Sequence, residues 1–274
     1  MAGTPRALHV LALALCAAVA TARAAEPECR ATSGERTLPL VELYTSEGCS
    51  SCPPADRWLS RALAAGNDAG PAALAFHVDY WDRLGWPDRF ARAEWSARQQ
   101  AIARDARTAV VFTPQVLLQG RDFAAWRGAE AARALAQAAS IPARADIAID
   151  ASPGGTAVAV VATARVRDAA QWSGARLVVA YVDSGHVTEV RRGENAGATL
   201  VHDHVVRALV AGGAADASGA LRLEATFELP ADAGRDPRLV AFVERGATRE
   251  VLQALPLALG RCGRRGAAGG TASG

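Results

Sequence analysis

The sequence predicts two units of different class: an α/β unit with a partly parallel sheet over residues 38–142, then an all-β, sandwich-like unit over residues 143–260. Three observations carry this. Up to Pro142, apolar runs of strand length alternate with amphipathic stretches at helical spacing, the pattern of βαβ units. After Pro142, alternating segments recur without helical insertions and are punctuated by Gly, Asp and Pro. With 274 residues, 50% of them hydrophobic, the chain has enough apolar material for both.

Taken in order, residues 38–44 read as a buried strand that runs into a polar turn and then Cys49-Ser50-Ser51-Cys52. Trp58, Leu59, Ala62 and Leu63 follow at helical spacing over residues 55–65, closed by Gly66. Residues 72–79 are a second run of strand length, 80–87 an aromatic-rich loop, and 88–104 a helix. Residues 108–118 are β-rich but interrupted by Thr113-Pro114. A turn at Gln119-Gly120 leads to a short segment over 121–123, and 124–139 is an alanine-rich helix interrupted by Gly128. In the second unit, strands are expected over 145–151, 156–166, 176–182, 199–210, 220–229, 239–243 and 250–257. Residues 25–37 form an N-terminal extension, and the Gly-, Ala- and Arg-rich residues 261–274 are expected to be disordered.

Residues 1–24 read as a secretory signal: Arg6 gives the charged start, 8–20 the apolar stretch, and Ala22-Arg23-Ala24 a cleavage site. The apolar stretch is too short and alanine-rich for a stable membrane span. Cys16 follows Leu15, where a lipoprotein signal calls for a small residue, which argues against a lipid anchor. Removal of Arg6 and Arg23 takes the formal charge from +2 to 0. The expected product is a neutral, periplasmic or secreted protein. It has no basic block and no aromatic-basic interleaving, so nucleic acid is excluded as a partner. Cleavage also reduces five cysteines to four: Cys29, Cys49, Cys52 and Cys262. An even number in an oxidising compartment invites pairing. Cys49 and Cys52 pair locally, which leaves Cys29 and Cys262 as a terminal clasp, with two free or intermolecular thiols as the alternative.

A C-x-x-C pair between a strand and a helix reads as a redox motif; a four-cysteine zinc site would need a second close pair, which the chain lacks. With Thr113-Pro114 entering the third strand, residues 38–140 resemble the thioredoxin fold in its minimal, glutaredoxin-type βαβαββα form. That resemblance implies that Cys49 is the nucleophile, that Cys52 resolves the mixed disulfide, and that Pro114 is cis and positions the substrate. The two prolines after Cys52 place the helix start near Cys52 and Cys49 in the preceding turn. Glu42 lies on a strand expected to be covered on both faces. Thioredoxins carry a buried acid on this strand, so Glu42 is expected to accept the proton of the resolving cysteine. Pairing with a buried arginine is the alternative.

The chain also resembles a family of exported bacterial proteins defined as a domain of unknown function with a thioredoxin-like fold. The resemblance rests on the stretch from Val41 to Asp56, on His77-Val78-Asp79-Tyr80-Trp81-Asp82, on Phe112-Thr113-Pro114-Gln115, on Arg192-Gly193-Glu194-Asn195 and on His204-Val205-Val206-Arg207. The expected function is thiol–disulfide exchange with protein thiols, disulfides or a redox partner protein, needing neither organic cofactor nor metal. Two other readings stand beside it. One is a Cu(I)-handling protein using Cys49, Cys52 and His77; the other is a non-catalytic binding protein in which Cys49–Cys52 is structural. His77 with Asp79, and His202 with His204, share strand faces; each pair reads first as core and only weakly as a metal signal. Trp81 and Trp86 follow the second strand as cleft or packing residues.

Overall fold

The run Ala-Ala-Leu-Ala-Phe-His over residues 72–77 is buried along its whole length, so it must be covered on both faces and at both edges. In the computed structural model its two neighbours come from the two halves of the chain. The structure describes residues 29–62, 70–108, 110–172, 174–246 and 248–262. The signal-like segment 1–24, the expected end of the first helix at Leu63 to Gly66, and the tail from residue 263 lie outside the described residues.

The strands, in chain order, are β1 (Cys29–Thr32), β2 (Leu40–Thr45), β3 (Ala72–His77), β4 (Gln115–Leu118), β5 (Arg121–Asp122), β6 (Ala145–Gly154), β7 (Ala157–Val166), β8 (Ala175–Ser184), β9 (His186–Glu189), β10 (Thr199–His202), β11 (Val205–Ala214), β12 (Ala220–Glu228), β13 (Arg235–Arg245) and β14 (Val251–Ala258). The α-helices are α1 (Pro53–Ala62), α2 (Ala93–Asp105) and α3 (Ala131–Ser140). Eight strands form one mixed sheet in the order β14-β13-β8-β11-β3-β2-β4-β5. Four form an antiparallel sheet in the order β1-β6-β7-β12, and β9 pairs with β10 in a separate hairpin.

This corrects the expected fold class. The chain is mainly β among its described residues, and it is not a glutaredoxin-type βαβαββα domain followed by a separate β-domain. The helices and strands of the first half do not close as their own sheet. β3 pairs in parallel with β2 on one side and with β11 on the other, through Val205 opposite Ala75 and the Ala75 amide donating to the His204 carbonyl at 2.8 Å. The apolar layer crosses that junction: Leu40, Tyr44, Leu74, Phe76, Trp95 and Ile102 pack with Val178, Val182, Val206, Val240 and Phe242. Each fully buried side chain of this size stabilises by about 1.5–3 kcal/mol, and parting β3 from β11 would expose several at once. A hydrophobic pattern states that a strand is covered, but not by which strand.

The second apolar layer lies between the four-stranded sheet and the far half of the large one. Ile147, Ile149, Val158, Val160, Leu221 and Phe227 meet Leu177, Val179, Tyr181, Leu239 and Leu252 there. A third layer packs α1 and α3 on the other face of β2, where Val41 and Leu43 meet Ala55, Leu59 and Ala131. Cys29 and Cys262 are disulfide-bonded, 5.0 Å apart at Cα and 233 residues apart in sequence. In the chain-entropy picture a loop of that length stabilises by roughly 5 kcal/mol.

Several elements differ from the sequence reading. The expected strand over 199–210 is two strands, broken where His204 adopts φ 58°, so that β10 joins the hairpin and β11 the large sheet. The helix expected from Asp88 starts at Ala93, because the side chain of Asp88 accepts the amide of Phe90 in a turn of its own. β1 and β9 have no counterpart in the sequence reading. Their short edge pairings carry too few apolar residues to announce themselves.

Candidate functional site

The C-terminal end of β2 opens into the turn that carries both cysteines. The Cys49 amide donates to the Ser46 carbonyl and the Cys52 amide to the Cys49 carbonyl, both at 3.1 Å. Pro53 and Pro54 have no amide hydrogen, so the first donors inside α1 are Ala55 and Asp56, both to the Cys52 carbonyl, at 2.8 and 3.2 Å. Cys49 and Cys52 are disulfide-bonded with Cα atoms 5.4 Å apart. Both are fully buried, whereas Ser50 and Ser51 between them are exposed.

Three other segments meet this turn. The Thr113–Pro114 peptide is cis, and the Ser51 hydroxyl, 3.4 Å from Cys49 Sγ, donates to the Thr113 carbonyl at 3.4 Å. Trp81 Nε1 donates to Thr113 Oγ1 at 2.8 Å, and Gln99 Nε2 donates to the Phe112 carbonyl at 2.8 Å, fixing that segment from the loop after β3 and from α2. From the second half comes the β9–β10 turn. Asn195 Nδ2 donates to the carbonyls of Glu47 and Cys49 at 2.8 and 3.0 Å. Glu194 Oε2 accepts from the Ser50 amide at 3.0 Å and its hydroxyl at 2.7 Å, and these donors hold its carboxyl below the usual range.

Beside the disulfide lies a group of ionisable residues that sequence reasoning did not assemble. His77 Nδ1 is 2.6 Å from Asp88 Oδ2, and the Glu47 amide donates to the same oxygen at 2.8 Å. His202 Nε2 lies 3.2 Å from Glu47 Oε1, and Trp86 Nε1 donates to Glu47 Oε2 at 2.8 Å. The rings of His77 and His202 are 4.8 Å apart and nearly perpendicular. Asp56 faces this group from α1, one helical turn after Cys52. Burial pushes its carboxyl up, against the opposing pull of His202, His77 and the Thr45 hydroxyl. Burial disfavours charge on His77, but the Asp88 carboxylate outweighs it and holds the imidazole above its ordinary value. For Asp88 the penalty of burial is in turn outweighed by His77, and its carboxyl is depressed. Burial and the repulsion of Asp88 push the Glu47 carboxyl up, but the adjacent His202, Thr188 and Trp86 outweigh them and hold it below the usual range.

Glu42 is elsewhere. It projects on the α2 face of β2, where it accepts from Arg98 Nε and Nη2 at 3.2 and 3.0 Å and from the Tyr44 hydroxyl at 3.3 Å. Arg98 Nη2 also donates to Glu244 Oε2 at 2.9 Å. Asp79 accepts from the Ser96 hydroxyl. His186 Nε2 is 2.6 Å from Asp183, which also binds Arg207. The structure thus joins Cys49, Cys52 and Pro114 and places His77 nearby, paired with Asp88. Among the described residues no three or more His, Cys, Asp or Glu are arranged to hold a metal ion, and none of the described helices is long and apolar enough to cross a membrane. Glu47 and Asp56 stand within the motif stretch, but no spacing rule ties Asp88, His202 or Asn195 to it. Glu194 and Asn195 lie in the Arg192-Gly193-Glu194-Asn195 stretch shared with the family.

A family model described as "Protein of unknown function (DUF1223)" matches residues 40–244. The curated proteins give no match. Two solved structures share the fold. The X-ray structure of protein AGR_C_4864 from Agrobacterium tumefaciens has 24% identity and a TM-score of 0.57, over 82% of this chain and 96% of that one. HBP35 of Porphyromonas gingivalis has 15% identity and a TM-score of 0.62, over 88% of this chain and 81% of that one.

Proposed function

We propose, for a chain that belongs to the DUF1223 family of proteins of unknown function, that it is an exported thiol–disulfide oxidoreductase working through Cys49 and Cys52. The observation that carries this reading is the setting of the pair. A disulfide at the start of a helix is flanked by Glu47, two residues before Cys49, and Asp56, one turn after Cys52, and these two carboxyls meet His77, Asp88 and His202. A purely structural disulfide needs no ionisable neighbours, and burying so many is costly. Exchange moves protons along with electrons, and such a group can store them.

In the reducing direction, a thiolate of a protein dithiol attacks Cys49 Sγ. The Cys49–Cys52 bond breaks, Cys52 leaves as thiolate and takes a proton, and a mixed disulfide forms. The partner's second thiolate attacks its own sulfur in that mixed disulfide and releases Cys49. The partner ends as a disulfide, and two electrons rest on Cys49 and Cys52. Oxidation of a partner runs the same steps backwards, with Cys49 attacking and Cys52 resolving. The Thr113 segment lies beside the pair, where an incoming chain would be aligned.

The test is trapping. Reduced Cys52→Ser protein treated with glutathione disulfide is expected to hold one glutathione on Cys49, read by intact-mass and peptide mass spectrometry. Cys49→Ser is expected to trap far less. Equal and negligible trapping by both variants would remove the reading.

A further inference from the structure

The second half of the chain reaches the cysteine turn through two adjacent side chains, Glu194 and Asn195, on a well-built support. The β9–β10 turn is closed by the Gly197 amide donating to the Val190 carbonyl at 2.8 Å and the Ala198 amide to the Asn195 carbonyl at 3.0 Å. Its Gly193, at φ 79°, lies so close to Trp86 that a Cβ there would stand 3.2 Å from the Trp86 Cβ. Trp86 in turn donates to Glu47. α1 packs against β10, which brings His202 to the same side. This turn therefore cannot shift without disturbing residues 47 to 50.

We propose, building on the exchange reading above, that Glu194 and Asn195 are positioning residues of the Cys49–Cys52 couple: Asn195 anchors the carbonyls of Glu47 and Cys49, and Glu194 occupies the Ser50 amide and sets a negative charge beside the place where the Cys49 thiolate forms. When the disulfide takes two electrons from a dithiol, the S–S bond breaks, the dithiol becomes a disulfide, and two protons divide between the sulfurs and solvent. The Glu194 carboxylate, hydrogen-bonded to the residue after Cys49, repels a thiolate forming there. Glu194 thus holds Cys49 towards the protonated thiol. Among the described residues, other charged groups around the turn include Glu47, Asp56, Asp82, Asp88, His77 and His202 on its inner side, and the exposed Arg191 and Arg192 in the β9–β10 turn itself. Glu194 is the carboxylate hydrogen-bonded to the residue that follows Cys49. Asn195 acts through geometry: both cysteines are buried in the disulfide form, so an attacking thiol needs the turn to open, and its two hydrogen bonds oppose that.

The experiment uses the full chain. Alkylation of reduced Cys49 by iodoacetamide is followed against pH by peptide mass spectrometry for wild type and Glu194→Gln, which retains an oxygen for both Ser50 donors. The profile of Glu194→Gln is expected to move to lower pH, with a thiolate fraction about two- to fivefold larger on its rising limb, the size that goes with one exposed charge. The difference is expected to shrink in 1 M salt. Separately, dithiothreitol is expected to open the disulfide of Asn195→Ala about two- to tenfold faster than that of wild type, the range set by a lost hydrogen bond. Coincident pH profiles would overturn the role of Glu194, and equal opening rates that of Asn195. A wild-type disulfide that dithiothreitol does not open at all would instead overturn the exchange reading, and this inference with it.

Discussion

Arg98→Ala removes a buried cation that ties the two halves of the chain together. Arg98, on α2, contacts Glu42 of β2 at 3.0 Å and Glu244 of β13 at 2.9 Å, and both carboxylates are only 1% exposed at the side chain. Glu244 keeps a second partner in Arg249 at 2.7 Å, but Glu42 would retain only the Tyr44 hydroxyl at 3.3 Å. Removing one member of a buried pair leaves an uncompensated charge and costs about 3–5 kcal/mol. For a chain of this size that corresponds to a fall in Tm of about 6–20 °C. Circular dichroism melts of the oxidised protein measure it. The deficit should also depend on pH. Burial pushes the Glu244 carboxyl up, but Arg98 and Arg249 outweigh this and hold it below its ordinary value. Its contribution is therefore present above about pH 4.3 and lost as pH falls through the depressed folded value. The gap between wild type and Arg98→Ala should narrow in acid. Replacing all three charged groups, as Glu42→Gln, Arg98→Met and Glu244→Gln together, should cost less than Arg98→Ala alone. A Tm within about 2 °C of wild type for Arg98→Ala, corresponding to under about 1 kcal/mol, would refute the reasoning, and with it the claim that this triad is held shut in the core.

Two further outcomes are expected. The His77–Asp88 pair joins a raised histidine to a depressed carboxyl. The histidine's share of stability is present below about pH 6.5 and lost as pH rises through its raised folded value; the carboxyl's is present above about pH 3.9 and lost as pH falls through its depressed one. Urea unfolding of wild type and Asp88→Asn should therefore differ most between about pH 4 and 6.5, and a gap that keeps growing to pH 9 would contradict the pairing. Cys29→Ser with Cys262→Ser should lower stability by about 2–4 kcal/mol in the same urea assay, while the ease of reducing Cys49–Cys52 stays unchanged; a shift in both would mean that the clasp reaches the site.

How far the sequence can be read is seen at particular residues. Residues 40–45 and 72–77 are mostly apolar, and each is a buried strand. The C-x-x-C stretch between a strand and a helix is likewise where its spacing put it, and Thr113-Pro114 stands beside it. What pattern alone did not carry was partnership. Nothing in residues 72–77 or 205–214 announces that β3 and β11 pair, yet that single junction turns two expected domains into one sheet. The same holds for the site. Glu42 looked like the acid under the cysteines because it lies on the strand that leads into them, but side chains alternate across a strand and position 42 faces α2, where it pairs with Arg98. Asp56, one helical turn beyond Cys52, was in plain view. Asn195 and His202 reach the cysteine turn only because a hairpin, whose Asn195 lies 146 positions beyond Cys49, folds back on α1 and β3.

The most direct test of the account is a redox titration of the purified protein in defined thiol–disulfide buffers, with alkylation and mass spectrometry reporting on Cys49 and Cys52. The account predicts a reversible two-electron couple between about −120 and −270 mV, the span of exchange catalysts. A pair that stays oxidised below about −300 mV, as structural disulfides do, would contradict it.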